Sequence, residues 1–293
     1  ESRGLGDVYK RQDNGILVYN YRTDKYEQPD TDFPTDVRTM VLQGDTLWIG
    51  SLNGLYTYQL KSRQLNHFDS KQTGLPHNTI YSIIHTKDNQ IYIGTYNGLC
   101  RYVQASGKFE NILLPVNRGG SNLFVNSLLE DAARQCIWIG MEGYLFQYNP
   151  TTGEMKAIEV FHNNSIKSLA LDGDENLLAG TDNGLYVYQN DKEPLQHIIH
   201  DSRNIQSLTN NIIWNIFSDQ EHNIWLGTDY GISLSRYNSA LQFVPISQIT
   251  GTGDGNQFYS LFRDSKGFYW FGGTNGVIRF THPAGNKHDA IWY

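Results

Sequence analysis

The sequence predicts an all-β chain assembled from one repeated unit, and three observations support this. A short segment ending in glycine recurs six times at intervals of 40–47 residues. Between these recurrences apolar and polar residues alternate over short runs, which is the pattern of half-buried strands. No stretch of ten or more residues carries a sustained helical apolar period, so we expect almost no helix. Repeats of this length made only of short strands are typical of β-propeller blades.

The recurring segment is the second strand of each unit with the turn that follows it. Its glycines are Gly50, Gly94, Gly140, Gly180, Gly227 and Gly272. A glycine inside a strand usually marks a bulge or a close backbone approach. The preceding tryptophans are expected to pack between neighbouring blades; they are Trp48, Trp138, Trp225 and Trp270. A second glycine, such as Gly98, then follows in a tight hairpin that requires a positive φ.

The unit around Gly94 shows how a repeat divides into strands. Apolar residues alternate over 79–86, and a turn of Lys, Asp and Asn follows. Further strands are predicted over 90–95, 99–103 and 108–113. Each unit is therefore expected to be a four-stranded antiparallel blade.

The N-terminal region departs from the repeat. Residues 14–19 match the back half of a unit, but residues 8–12 lack the aromatic-Ile-Gly-Thr strand expected before it. We therefore expect residues 1–12 to be a non-native or junction segment and residues 13–293 to form the propeller domain. Six full units and a half unit around Gly15 predict a seven-bladed propeller or part of a larger blade array. We also expect the chain to be a fragment of a longer protein.

Composition and charge exclude several classes of function. The net charge is −7 and Lys and Arg form no run, so nucleic acid and anionic membrane surfaces are excluded as partners. Aromatic residues make up 13% of the chain, which indicates a folded domain. No apolar run approaches the roughly 18 residues of a membrane-spanning helix. Cys100 and Cys136 are predicted to be buried free thiols, with a disulfide as the alternative.

No motif for catalysis or metal binding stands out in the sequence. Metal-type spacings of His and Cys, the nucleophile elbow and the Walker loop are all absent. The turns that begin at Asp219 and Asp264 are similar to the acidic hairpins of sialidases. Their spacing also fits ordinary turns in which the Asp side chain accepts from its own backbone. We therefore predict no catalytic residue, no metal site and no cofactor.

The repeat resembles that of the two-component regulator propeller family. The resemblance is carried by Ile80-Tyr81-Ser82-Ile83, by Tyr92-Ile93-Gly94-Thr95 and by Asn97-Gly98-Leu99. It returns in Phe258-Tyr259-Ser260-Leu261 and Trp270-Phe271-Gly272, and it covers about residues 13–280. The unit at Ala179-Gly180 departs from the pattern because it lacks the aromatic residue.

The resemblance implies an extracytoplasmic sensor. Such repeats typically form the periplasmic sensor region of hybrid two-component histidine kinases in gut bacteria that use complex polysaccharides. It implies an oligosaccharide ligand, with a β-sandwich, a membrane helix and the kinase of the same receptor outside this chain. A homodimer is a further expectation from this resemblance. The alternatives are a protein–protein scaffold and a carbohydrate-active propeller enzyme.

The candidate ligand site lies where the units differ from one another. The entrance to the first strand and the hairpin between the second and third strands emerge on the same face of a blade. At that entrance stand Asn78, Asn164, Asn211 and Asn256, and three residues later come Tyr81, Lys167, Trp214 and Tyr259, where the residue type varies. The hairpins add Tyr96, Asn97, Tyr230 and Asn275, and loops add His77 and Phe124.

These residue types suit a sugar ligand. Amides offer a donor and an acceptor to paired hydroxyl groups, and aromatic faces suit the apolar side of a pyranose. Trp214 is the main candidate. The alternative is that the Asn residues only cap turns and that Trp214 is a fully buried residue between blades.

Overall fold

The structure, a computed structural model, describes residues 7–12, 15–27, 29, 31–116, 123–158, 164–189, 196–247, 255–281 and 290–293. The chain forms seven antiparallel sheets in sequence order, which we number blades 1 to 7. It divides into two compact units, Glu1–Glu159 and Val160–Tyr293, which we call unit 1 and unit 2.

Unit 1 contains blades 1 to 4. Blade 1 consists of β1 (Asp7–Gln12), β2 (Gly15–Asn20) and β3 (Lys25–Glu27). Blade 2 consists of β4 (Val37–Gln43), β5 (Thr46–Ser51), β6 (Gly54–Gln59) and β7 (Leu65–Phe68), and the helix α1 (Ser70–Thr73) follows it. Blade 3 consists of β8 (Ile80–His85), β9 (Ile91–Thr95), β10 (Gly98–Val103) and β11 (Lys108–Ile112). Blade 4 consists of β12 (Val125–Asp131), β13 (Cys136–Met141), β14 (Leu145–Tyr148) and β15 (Met155–Ile158).

Unit 2 contains blades 5 to 7. Blade 5 consists of β16 (Ile166–Leu171), β17 (Leu177–Thr181), β18 (Gly184–Tyr188) and β19 (Gln196–Ile198). Blade 6 consists of β20 (Ile213–Ser218), β21 (Ile224–Thr228), β22 (Gly231–Ser235) and β23 (Phe243–Pro245). Blade 7 consists of β24 (Phe258–Arg263), β25 (Tyr269–Gly273), β26 (Gly276–Phe280) and β27 (Ile291–Trp292).

The predicted all-β propeller class is confirmed by six consecutive four-stranded antiparallel blades. In blade 3 the observed strands agree with the predicted ones to within one residue at each end. Helix is scarce, as expected, and α1 has only four residues. Its first turn is capped by Asp69, whose carboxylate accepts from the Lys71 backbone N–H.

Blade 1 differs from the predicted half unit because it has three strands. The backbone of β1 pairs with β2 from Asp7 opposite Asn20 to Gln12 opposite Gly15. An open strand edge offers unpaired N–H and C=O groups, and an extended neighbouring segment can satisfy them whatever its side chains. Residues 1–6 lie outside the described part of the chain. The assignment of residues 1–12 as a junction stays a prediction.

The in-strand glycines allow close packing between adjacent blades. The first strands of adjacent blades contact one another within each unit. A Cβ added to Gly94 would lie 2.6 Å from Val125 Cγ1 on the next first strand. One added to Gly227 would lie 2.5 Å from the carbonyl oxygen of Phe258. Both distances are too short for any side chain, so the expectation of a close approach is confirmed.

Two of the repeated tryptophans donate hydrogen bonds to the acidic turns of their own blades. The indole N–H of Trp225 donates to Asp219 over 2.8 Å, and that of Trp270 donates to Asp264 over 2.6 Å. The same carboxylates accept backbone N–H groups of their own turns, as from Glu221 to Asp219. Trp225 also packs in a core cluster with residues of blade 7. The interpretation of the acidic hairpins as ordinary turns is therefore confirmed, and so is the packing role of Trp225.

The two cysteines are buried and free. Burial raises the pKa of both thiols, so neither is present as a reactive thiolate near neutral pH. Across the described ranges, no helix is long and apolar enough to cross a membrane.

Candidate functional site

The four variable residues singled out in the sequence occupy the same structural position. Each is the extra residue of a β-bulge in the first strand of its blade. In β20, for example, Ile213 pairs with Thr228 and Asn215 with Gly227, which leaves Trp214 without an opposite residue. The same shift isolates Tyr81, Lys167 and Tyr259. A bulge re-aims a side chain away from the regular ladder, and bulges are common beside functional sites.

In unit 2 the structure brings three of these residues into one row. The ammonium of Lys167 lies 4.4 Å from the centre of the Trp214 ring. On blade 7 the Tyr259 ring approaches Trp214 edge to face, with centroids 5.2 Å apart and an interplanar angle of 67°. Trp214 is half-buried, whereas Trp225 on the adjacent strand is fully buried. The alternative that Trp214 is a fully buried packing residue is therefore not what the structure shows.

A network of hydrogen bonds fixes the orientation of the aromatic rings in this row. The Trp214 indole N–H donates to Asp229 Oδ1 over 3.0 Å, and the Gln257 amide donates to the same oxygen over 2.7 Å. The Tyr259 hydroxyl in turn donates to Gln257 Oε1. These bonds set the orientation of both aromatic rings before any ligand arrives, which lowers the ordering cost of binding. We call Lys167, Trp214, Tyr259, Asp229 and Gln257 the unit 2 row.

The charge of Lys167 is available to a ligand. Among the residues that the structure describes, no carboxylate oxygen lies within 4.0 Å of its ammonium group. Its recorded contact is the cation–π contact with Trp214. Tyr230, from the adjacent hairpin, is 55% exposed and lies beside Gly255. The row therefore presents a cation, aromatic surface and hydrogen-bonding groups together.

In unit 1 a second group of aromatic residues surrounds the bulge of blade 3. Tyr96 and Phe124 meet edge to face with centroids 4.4 Å apart, and His77 lies 4.9 Å from Tyr96. Tyr81 contacts Phe124 at 6.1 Å. Burial is the main cause that raises the pKa of Tyr81, so its phenol stays neutral and can donate a hydrogen bond.

Asn97 is exposed and borders a different feature of unit 1. It lines a cavity of about 370 Å³ whose wall is mostly apolar and includes Leu99, Leu114 and Leu123. Its backbone N–H donates to Thr95 Oγ1 within the hairpin. Asn275, at the matching hairpin of blade 7, is also exposed.

The predicted asparagines hold backbone or neighbouring side chains. The amide oxygens of Asn78, Asn211 and Asn256 accept the backbone N–H groups of Ser70, His200 and Asn275. Asn164 instead donates to the Tyr186 hydroxyl over 2.7 Å. Asn256 is 3% exposed. These contacts are those of the turn-capping alternative, and a ligand role for these amides stays a prediction.

Asp229 and Gln257 were missed by the sequence reasoning. A weak signal for Gln257 was present, because the residue type at this position also varies between units, as with Thr79 and Ile212. In the described ranges, no group of three or more His, Cys, Asp or Glu residues could hold a metal ion.

Comparison with known proteins supports the family resemblance. The family model described as two component regulator propeller matches residues 74–97, 207–230 and 252–275. The resemblance seen in the sequence is thus confirmed in three repeats. Two of them, residues 207–230 and 252–275, contain Trp214 and Tyr259 of the unit 2 row.

Two relatives carry related names. The chain is 80% identical to the extracellular domain of the hybrid two component system BT4673 from B. thetaiotaomicron, with a TM-score of 0.78. That match covers 98% of this chain and 39% of the other. Histidine kinase P4 of Formosa agariphila is 26% identical over 304 residues, covering 91% of this chain and 21% of the relative. The chain thus spans about two fifths of the length of the first relative and about one fifth of the length of the second.

A more distant likeness concerns the fold alone. Virginiamycin B lyase from Staphylococcus aureus is 15% identical with a TM-score of 0.68, and the match covers 93% of this chain and 90% of that one. At this identity the likeness extends no further than the propeller architecture.

Proposed function

We propose that this chain, which carries two-component regulator propeller repeats, is a non-catalytic sensor module that binds an oligosaccharide at the unit 2 row. The observation that carries the proposal is the half-exposed Trp214, placed on a bulge between Lys167 and Tyr259. An aromatic residue that serves only packing would be buried like Trp225. Here the ring is held in a fixed orientation at the surface.

The chemistry of the row suits a hydroxyl-rich ligand. Aromatic rings stack on the C–H faces of pyranose rings, and burying such a face excludes water from both surfaces. Lys167 places donors beside the rings, and Asp229 places carboxylate oxygens there. A sugar chain would therefore find apolar and polar recognition on one short stretch of surface.

The setting of the module is part of the proposal. Relatives named as extracellular domains of two-component systems support an extracytoplasmic location, which in a Gram-negative cell is the periplasm. Histidine kinase P4, of which this chain covers 21%, supports a receptor whose kinase lies outside this chain, and the family resemblance adds a β-sandwich and a membrane span. Kinase activity would then belong to those parts and not to the propeller.

Glycan binding and two substitutions test the proposal. The chain is applied to an array of neutral and uronic-acid oligosaccharides, and the strongest binder is measured by titration calorimetry. Trp214→Ala and Lys167→Ala should each weaken that affinity at least about tenfold, because central anchor residues dominate binding energy. Trp292→Ala, which removes a 39% exposed Trp on β27, is the matched control and should leave affinity unchanged.

Two outcomes would overturn the proposal. One is a chain that binds no glycan on the array. The other is a glycan whose affinity survives both Trp214→Ala and Lys167→Ala in variants with native circular dichroism. Release of shortened sugars during incubation would instead favour the enzyme alternative.

A further inference from the structure

All six four-stranded blades carry a bulge at one and the same point of their first strand. The residue after each bulge pairs with the in-strand glycine of the second strand, so the bulged residue itself has no opposite residue. The bulged residues are Arg38, Tyr81 and Asn126 in unit 1 and Lys167, Trp214 and Tyr259 in unit 2.

The residues around each bulge are uniform, but the bulged residue is not. Before the bulge stands a buried apolar residue, and after it stands a small polar residue. The residues before it are Val37, Ile80, Val125, Ile166, Ile213 and Phe258, all at most 3% exposed. The residues after it are Thr39, Ser82, Ser127, Ser168, Asn215 and Ser260. Residues needed for the fold repeat from blade to blade, whereas the bulged residue is free to differ.

The packing explains why the backbone of the bulge is held so firmly. The apolar residue before the bulge sits against the in-strand glycine of the preceding blade. An added Cβ would meet Ile80 Cγ2 at 2.6 Å from Gly50, and Ile213 Cγ2 at 2.7 Å from Gly180. The bulge is thus fixed next to a tight contact, while its own side chain stays outside it. This gives a rigid site for a side chain of any type.

In unit 1 the three bulged residues repeat the chemistry of the unit 2 row. Arg38 is exposed, and Tyr81 and Asn126 are half-buried. Tyr81 contacts Phe124, two residues before Asn126, and the positive charge of Arg38 lowers the pKa of Tyr81 against the larger effect of burial. A cation on one blade again precedes an aromatic ring on the next, as Lys167 precedes Trp214.

We propose that Arg38, Tyr81 and Asn126 form a second sugar-contacting row, the unit 1 row, and that the bulged residue of each blade determines which sugar is accepted. This deepens the proposed function and rests on it. The guanidinium, the phenol and the amide supply donors to hydroxyl and ring oxygens, and the Tyr81 and Phe124 rings supply apolar surface. Arg38 and Asn126 are specificity-determining residues that the other observations leave unassigned.

The test uses the same glycan array with variants of unit 1. Arg38→Ala, Tyr81→Ala and Asn126→Ala are compared with the unchanged chain, first on the array and then by calorimetry with its strongest binder. At least one of these changes should weaken binding about tenfold or more, or should change the order of preferred glycans. All three side chains lie outside the tight contact at the in-strand glycine, so the variants should keep native circular dichroism.

Matched controls use the same residue types on outer strands of unit 1. Arg101→Ala removes an exposed arginine that pairs with Glu110, and Asn66→Ala removes an exposed asparagine on β7. Both should retain the array profile and the affinity of the unchanged chain.

The outcomes separate this proposal from the proposed function. If Trp214→Ala weakens binding but all three unit 1 variants keep the affinity and the array profile, the unit 1 row is refuted and the sensor proposal stands. If the unchanged chain binds no glycan, both are refuted. If Arg101→Ala or Asn66→Ala alters the profile as much as the bulge variants do, the bulge position has no special role.

Discussion

Replacing Tyr269 by Phe tests how adjacent blades of unit 2 are joined. Tyr269 lies on β25 and is fully buried. Its hydroxyl donates across to blade 6, to Asp219 Oδ2 over 2.9 Å and to Glu221 Oε2 over 3.3 Å. Burial and the neighbouring Asp219 raise the pKa of this phenol, so it is the neutral, donating form at physiological pH. The substitution removes one oxygen and leaves the ring in its core cluster.

The size of the effect follows from the partners. A hydrogen bond to a charged group contributes about 1.5–3 kcal/mol, and its loss leaves part of the buried Asp219 carboxylate less well satisfied. Asp219 still accepts from Trp225 and from Asn223, so the loss is confined to the one hydroxyl proton that Asp219 and Glu221 share. For a chain of 293 residues the melting temperature should fall by roughly 2–5 °C.

Thermal unfolding followed by circular dichroism measures the fall in melting temperature. A second Tyr→Phe variant serves as the control. Tyr237 is 43% exposed, and its hydroxyl lies 3.5 Å from Asp174. Tyr237→Phe should change stability by less than about 0.5 kcal/mol, as surface substitutions usually do. Equal melting temperatures for the two variants would refute the reasoning that the Tyr269 bond joins the blades.

Two further predictions concern the blade packing and the N-terminal segment. Gly227→Ala should cost about 1–3 kcal/mol in denaturant unfolding, since its Cβ would lie 2.5 Å from the Phe258 carbonyl oxygen. A cost below about 0.5 kcal/mol would contradict the close-approach argument. If residues 1–12 are a junction, deleting them should leave the melting temperature within about a degree even though β1 pairs with β2 along Asp7–Gln12. A fall of several degrees would show that β1 completes blade 1.

The proposed glycan site shows where reasoning from sequence stops. Counting back 13 residues from the repeat glycine found Tyr81, Lys167, Trp214 and Tyr259. The same count does not find Arg38 and Asn126, because the turn between the first two strands differs in length by one residue in blades 2 and 4. The bulge is located by strand pairing, which places the next residue opposite the glycine whatever the turn length.

The sequence by itself determined the repeat, the four-stranded blades, the scarcity of helix and the variable position on four of the six first strands. These follow from local patterns, since alternation and turn residues act over a few neighbours. Only the tertiary structure decided which variable residues meet. Lys167, Trp214 and Tyr259 come from three blades, and their contacts depend on the close approach that each in-strand glycine allows. Asp229 orients Trp214 within blade 6, and Gln257 joins Asp229 from blade 7. Such long-range contacts leave no fixed spacing in the chain.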